Sequence, residues 1–434
     1  MKTCFWCGKN TVTLDLPDNA TIYTSSYPEI TQPPGALISE ALSNPVGAPP
    51  LKAALKQRRD GEVVIVVSDI TRPIPYATIL PVLLQQIESA GVGRDSIVIL
   101  VATGMHRPST SAEHREMFGE GVVRNYTIVD HQADDADSLV ELPGTSWSGN
   151  KAQLNARYVN AGFRIITGLV EPHFMAGFSG GRKAVCPGLA SLATVCRFHG
   201  YDFLADPRAC NGVLEDNPCH CESLSVAKLA GVEFSLNVVL NDDRKVVRAY
   251  AGELEAAHGA ACDFVRHCAC PQIDTPADVV LTSCGGYPLD TTFYQCVKGM
   301  VSCLPAVKPG GVLIAFGSCS EGIGGPEYAD IMRQYAGRWE EFLRVIRDPA
   351  RFVKDQWEFQ MQCRALAKVG SENLHFVTDG LGLPDLDALS LVAHHAERGT
   401  VECVLQEMVN NTVQDGDRLA VFPEGPYCAP VEKL

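Results

Sequence analysis

The sequence predicts an α/β protein made of two α/β domains, with the active site in the cleft between them. Two observations lead there. Short apolar runs alternate with stretches of helical periodicity, and after Pro271 the alternation starts again. Polar segments bearing Gly or His follow the apolar runs, which is where open α/β sheets hold their ligands.

The elements follow in order. Two turn-rich stretches, 27–35 and 44–50, precede the regular pattern. Residues 63–67 (VVIVV) form an apolar run ending in Ser68-Asp69, 76–91 carry helical periodicity, and 97–102 form a second run ending in Thr103-Gly104. That is a βαβ unit. Runs at 126–129 and 164–169 continue it. In the second half, 278–281 reads as a strand, 295–304 as a helix and 311–316 as a strand. A long helical stretch over 326–368 and a strand at 374–377 follow. The expected boundary lies within 263–276, giving an N-terminal domain 1–265 and a C-terminal domain 275–434 whose last residues pack back on the first.

Composition excludes several classes. The chain has 434 residues, of which 46% are hydrophobic and 20% charged, so it holds enough apolar mass for packed domains. A net charge of −15 with no basic run argues against nucleic acid or an anionic membrane as partner, though a local pocket can still be basic. MKTCFWCGKN lacks a signal-peptide core, and no apolar run reaches membrane-spanning length; a cytoplasmic protein is expected. The 17 cysteines have no regular spacing and read mostly as reduced, buried small side chains. Cys4-Phe5-Trp6-Cys7 is half a zinc pattern without its other half.

The densest constellation runs from Gly168 through Glu171-Pro172-His173 to Gly177-Phe178-Ser179-Gly180-Gly181-Arg182-Lys183. Closely spaced glycines beside two cations allow backbone N–H groups to approach a phosphate, although neither a Walker A nor a G-x-G-x-x-G pattern is present. A glycine-rich turn with surface cations is the structural alternative. His106 and His173 each lie just past a strand, where an imidazole can exchange protons near pH 7 or simply hold a loop. Arg72, in Asp69-Ile70-Thr71-Arg72-Pro73, suits a carboxylate or phosphate, with a surface ion pair as the plain alternative. His199 alone is weak evidence for a metal. Gln295 and Lys298 share a helix face after Gly285-Gly286-Tyr287-Pro288-Leu289-Asp290, and Trp357 is either a lid or a packing residue.

Taken in this order and spacing, these segments resemble the nickel-pincer-nucleotide lactate racemases and their 2-hydroxyacid racemase and epimerase relatives, over nearly the whole chain. The resemblance implies two α/β domains and a nickel-bearing pyridinium mononucleotide tethered to Lys183, with His199 as protein ligand to nickel. It implies nucleotide contacts from Asp69, Thr71, Gly180 and Gly181, and Trp357 flanking the site. His106 and His173 become an acid/base pair on opposite substrate faces, and Arg72, Gln295 and Lys298 hold the substrate. The implied reaction is racemisation of a small 2-hydroxyacid through a planar 2-oxoacid, by hydride transfer to the cofactor. Proteins of cofactor biosynthesis are the implied partners. For the substrate side chain, Thr291, Thr292, Phe293 and Tyr294 are candidates. A soluble-NAD oxidoreductase, or a nucleotide-binding protein without turnover, are the competing readings; the missing G-x-G-x-x-G counts against the first and the paired histidines against the second.

Overall fold

A computed structural model describes residues 1–397 and 399–432. Contacts divide it into two compact units, one of Tyr27–His199 with Val213–Val265 and one of Met1–Ser26, Gly200–Gly212 and Arg266 onward. The expected division at 1–265 and 275–434 differs in two segments, and pairing explains both. Thr21–Ile22 is an edge strand beside Leu419–Phe422, and Arg364 donates to the carbonyls of Pro207 and Ala209. The last described residues, Val431–Glu432, pair with Gln272–Ile273, and Val431 lies against Gly212.

The unit containing Tyr27–His199 is built on a six-stranded sheet ordered Val246–Gly252, Phe234–Leu240, Phe163–Leu169, Val63–Ser68, Ile97–Ala102, Thr127–Asp130. All neighbours are parallel except the pair Phe234–Leu240 and Val246–Gly252. Residues 63–67 and 97–102 are apolar throughout because both faces of the sheet are covered there. Val63, Ile65 and Val67 face one core, with Ile79, Leu83 and Ile87 of the helix Tyr76–Ser89; Val64 and Val66 face the other, with Tyr158, Val185 and Val226. Strand order reverses between Val63–Ser68 and Phe163–Leu169, so the loops leaving these two neighbours diverge and leave a crevice at their carboxyl ends.

The other unit carries a parallel six-stranded sheet ordered Val392–His395, Leu374–Thr378, Val307–Phe316, Ala277–Ser283, Leu419–Phe422, Thr21–Ile22. Its reversal falls between Ala277–Ser283 and Leu419–Phe422, just before the Gly285–Asp290 loop. An antiparallel hairpin, Lys2–Cys7 with Asn10–Asp15, packs Phe5, Val12 and Leu14 against this sheet. The helical stretch expected over 326–368 is three helices, Pro326–Gln334, Trp339–Val345 and Gln356–Val369. Gly337 at φ +65° and Pro349 sit at the two interruptions, where the helical backbone cannot continue. Among the described residues no helix is long and apolar enough to cross a membrane.

Candidate active site

Five of the expected site residues leave the carboxyl ends of adjacent strands. Asp69, Thr71 and Arg72 follow Val63–Ser68; His106 follows Ile97–Ala102, whose Ala102 pairs with Ser68; His173 follows Phe163–Leu169. Asp69 is 7% exposed, and its carboxylate is fully engaged. Oδ2 lies 2.6 Å from His106 Nδ1, and Oδ1 accepts from the Thr71 hydroxyl at 2.6 Å and the Thr71 N–H at 3.2 Å. Burial pushes this carboxyl up, but the bonds from His106 and Thr71 outweigh it, and the net position is below the ordinary carboxylate value. Arg72 stays exposed and donates to Thr71 Oγ1 at 3.1 Å. An Asp–His pair of this kind fixes the proton on Nδ1 and leaves Nε2 as the basic atom.

His173 is fixed the opposite way. It pairs with Gly177 across a short antiparallel bridge, and its Nδ1 accepts the N–H groups of Met175 and Ala176, both at 3.2 Å. A neutral ring so held carries its proton on Nε2, which lies 3.2 Å from Lys183 Nζ. Burial, then the charges of Arg182 and Arg72, lower the Lys183 amine to about 7, so much of it is neutral at physiological pH.

The glycines around Lys183 serve close packing. A Cβ on Gly181, at φ +52°, would stand 2.6 Å from the His258 ring, and one on Gly180, at φ +72°, 2.8 Å from Val170. The Gly181 N–H, expected to face a phosphate, donates instead to Asn237 Oδ1 at 2.9 Å. His199 ends the helix Leu192–Phe198, its Nδ1 3.0 Å from Val195 O. Burial and the nearby Lys183 charge hold its imidazole down to about 3. It is therefore a neutral ring with its proton on Nδ1, the form in which imidazole ligates metals. Lys183 Nζ also lies 5.2 Å from the centre of the Phe198 ring. Among the described residues, no group of three or more His, Cys, Asp or Glu is placed to hold a metal.

In the other unit, Thr292 caps the helix Phe293–Ser302, and Lys298 Nζ donates to Gln295 Oε1. Trp357 is 6% exposed; its indole N–H donates to Tyr294 Oη at 2.9 Å and its ring stacks on Phe352. Of the side-chain-pocket candidates, Phe293 packs on Phe376, Thr291 bonds Pro288 O and Thr292 is a cap.

Sequence reasoning missed two positions and one partnership. Asp69 was expected as a nucleotide contact, and that it holds an imidazole is revealed only by the pairing of Ser68 with Ala102. Asn237, mid-strand in an apolar run, is a polar residue where none is expected, and that anomaly was the available signal. Glu358 follows Trp357 on a buried helix face; burial pushes its carboxyl up to about 8 against the pull of the Lys298 ammonium.

Comparison with known proteins identifies the family. Residues 7–212 match the lactate racemase N-terminal domain and 273–425 the lactate racemase C-terminal domain. The chain is 35% identical over 430 residues to a lactate racemase of Thermoanaerobacterium thermosaccharolyticum, covering 96% of both, and 38% identical over 352 residues to one of Lactiplantibacillus plantarum, covering 80% of both. A structure of the T. thermosaccharolyticum lactate racemase apoprotein superposes with TM-score 0.86 at 32% identity and full coverage of both chains. A Thermotoga maritima protein, TM-score 0.68 at 18% identity and covering 95% of this chain and all of that one, shares the fold. This chain belongs to the lactate racemase family and is an isomerase of the racemase class.

Proposed function

We propose that this chain interconverts the enantiomers of a 2-hydroxycarboxylic acid, lactate or a short-chain relative, with a nickel pincer nucleotide tethered to Lys183. The observation that carries the reading is a pair of imidazoles each anchored through Nδ1, His106 by the Asp69 carboxylate and His173 by the N–H groups of Met175 and Ala176, so that each keeps Nε2 for proton exchange. A racemase needs such a pair, since one enantiomer must lose a hydroxyl proton on one side while the carbonyl oxygen regains one on the other.

The residues fit the proposed group. A lysine amine at about 7 is nucleophilic at neutral pH, and acylation removes a charge that burial disfavours. His199 supplies one neutral imidazole, and the family resemblance implies that the group itself would supply the remaining donors. When bound, the group accepts and returns hydride at the substrate carbon. The chain does the rest. Arg72, Gln295 and Lys298 are the carboxylate-binding residues; His106 takes the hydroxyl proton as a neutral ring, with Asp69 stabilising the imidazolium formed, and His173 gives a proton to the oxygen only when it enters the step as imidazolium. In the reverse direction the two imidazoles exchange roles.

Intact-mass and nickel analysis of protein from its native host tests this. Added mass localised to Lys183 and about one nickel per chain are expected; an active, unmodified and metal-free chain would exclude the proposal.

A further inference from the structure

His106 stands on a loop that two adjacent residues grip at both ends. Its ring is 55% exposed, so packing does not hold it; its direction is set by the bond to Asp69 and by the backbone between Thr103 and Ser109. The start of the loop is fixed by Thr103, which is buried and whose hydroxyl donates to the carbonyl of His131 at 2.6 Å. The end is fixed by Ser109, whose N–H donates to Asp130 Oδ1 at 3.0 Å. Between them the His106 N–H closes a turn onto Thr103 O at 2.9 Å.

Asp130 and His131 come from the end of the neighbouring strand Thr127–Asp130, and each is itself held. Asp130 Oδ2 lies 2.8 Å from His114 Nε2, with both side chains largely covered. His131 is fully buried: its backbone N–H donates to Val101 O at 3.0 Å, its Nδ1 accepts from Asn155 Nδ2 at 3.3 Å, and its Nε2–H donates to Ala190 O at 3.0 Å. Burial keeps this imidazole below its usual range, so it is a neutral strut and not a proton carrier. Ala190 belongs to the segment that follows Lys183, and in the same segment Gly188 O accepts the Gly104 N–H at 3.0 Å. The mount of the His106 loop is therefore continuous with the chain that carries the lysine. Such rigidity matters to an exposed ring that exchanges protons, because misplacing a reacting group by about 1 Å costs on the order of 100-fold in rate.

We propose that Asp130 and His131 are positioning residues for His106, a bracket that holds its Nε2 in line for proton exchange. The inference rests on the racemase reading given above, and both residues act through the loop.

Two pairs of variants test it in the cofactor-loaded enzyme, with loading checked by intact mass. Asp130→Ala and Thr103→Val each remove one grip, whereas Asp130→Asn keeps the acceptor and Thr103→Ser keeps the hydroxyl. The first pair should lose about tenfold or more in kcat with KM within about twofold of the parent, and the second pair should stay within about threefold in both. Amide hydrogen exchange of the unloaded chain gives a readout independent of turnover. Residues 104–109 should exchange about tenfold faster or more in Asp130→Ala, while the strand Ile97–Ala102 stays as protected as in the parent. Parental kcat in Asp130→Ala or Thr103→Val, equal losses in a variant and its conservative counterpart, or unchanged exchange over 104–109 would each overturn the proposal. A loaded parent that turns over no 2-hydroxyacid would overturn the racemase reading, and with it the role assigned to the bracket.

Discussion

His106 Nδ1 and Asp69 Oδ2 stand 2.6 Å apart, joining loops that leave neighbouring parallel strands. The pair does for His106 what two backbone N–H groups do, in the opposite sense, for His173. Together these contacts fix the orientation of both rings through Nδ1 and leave Nε2 of each for proton exchange.

Asp69→Asn keeps the side-chain shape but loses the charge that stabilises a protonated His106. In the cofactor-loaded enzyme, kcat should fall by about 100-fold or more, within the usual range of acid–base effects, with KM little changed. Steady-state racemisation measured by chiral chromatography decides it; wild-type kcat would remove Asp69 from the mechanism.

The same substitution should have a pH signature in stability. The Asp69 carboxyl is lowered on folding, so its contribution is present above the unfolded value near 3.8 and is lost as pH falls through the folded one. Urea unfolding should find Asp69→Asn less stable than the parent at pH 6, with the gap closing below about pH 4. A gap that persists unchanged into strong acid contradicts the assignment.

Lys183 has the reverse sign. Its amine is lowered to about 7, so charging it costs stability below that pH, and the cost disappears as pH rises toward 10.5. Untethered Lys183→Met should therefore melt several degrees above the parent at pH 6, with the gap narrowing above pH 7 and closing only near pH 10.5. Thermal scans across this pH range make the comparison.

Glu358 is a carboxyl raised to about 8 by burial, so ionising it costs stability increasingly as pH rises from 4.5 to 8. Glu358→Gln should stabilise the chain at pH 8.5 and change little at pH 4.5. An equal effect at both values would locate the cause in packing.

Gly181→Ala places a methyl 2.6 Å from His258 at a φ of +52°. Strain of this type costs about 1–3 kcal/mol, before the clash is added. A denaturant midpoint indistinguishable from the parent's would show that the loop can yield.

The sequence made the strands and the site loops legible for one reason: residues 63–67 and 97–102, covered on both faces, are uninterrupted apolar runs whose ends are marked by Ser68-Asp69 and Thr103. The N-terminal hairpin was less legible. Its inward residues, Thr3, Phe5 and Cys7, alternate with an exposed Cys4 and Trp6, so the period-2 signal is blurred by apolar residues facing outward. Site residue types could be read from motifs, but their partners could not. Asn237 reaches Gly181 from a strand 56 residues later, and nothing local in either segment announces that bond.

The reversal of strand order has a consequence for how such a molecule is made. Lys183 becomes buried beside Arg182 and Arg72 only when Phe163–Leu169 has docked against Val63–Ser68, so a half-synthesised chain holds an ordinary, protonated lysine. The neutral amine is a product of completed assembly. Any chemistry that marks this lysine would thereby select finished molecules and pass over nascent or damaged ones, a proofreading step that costs no additional component.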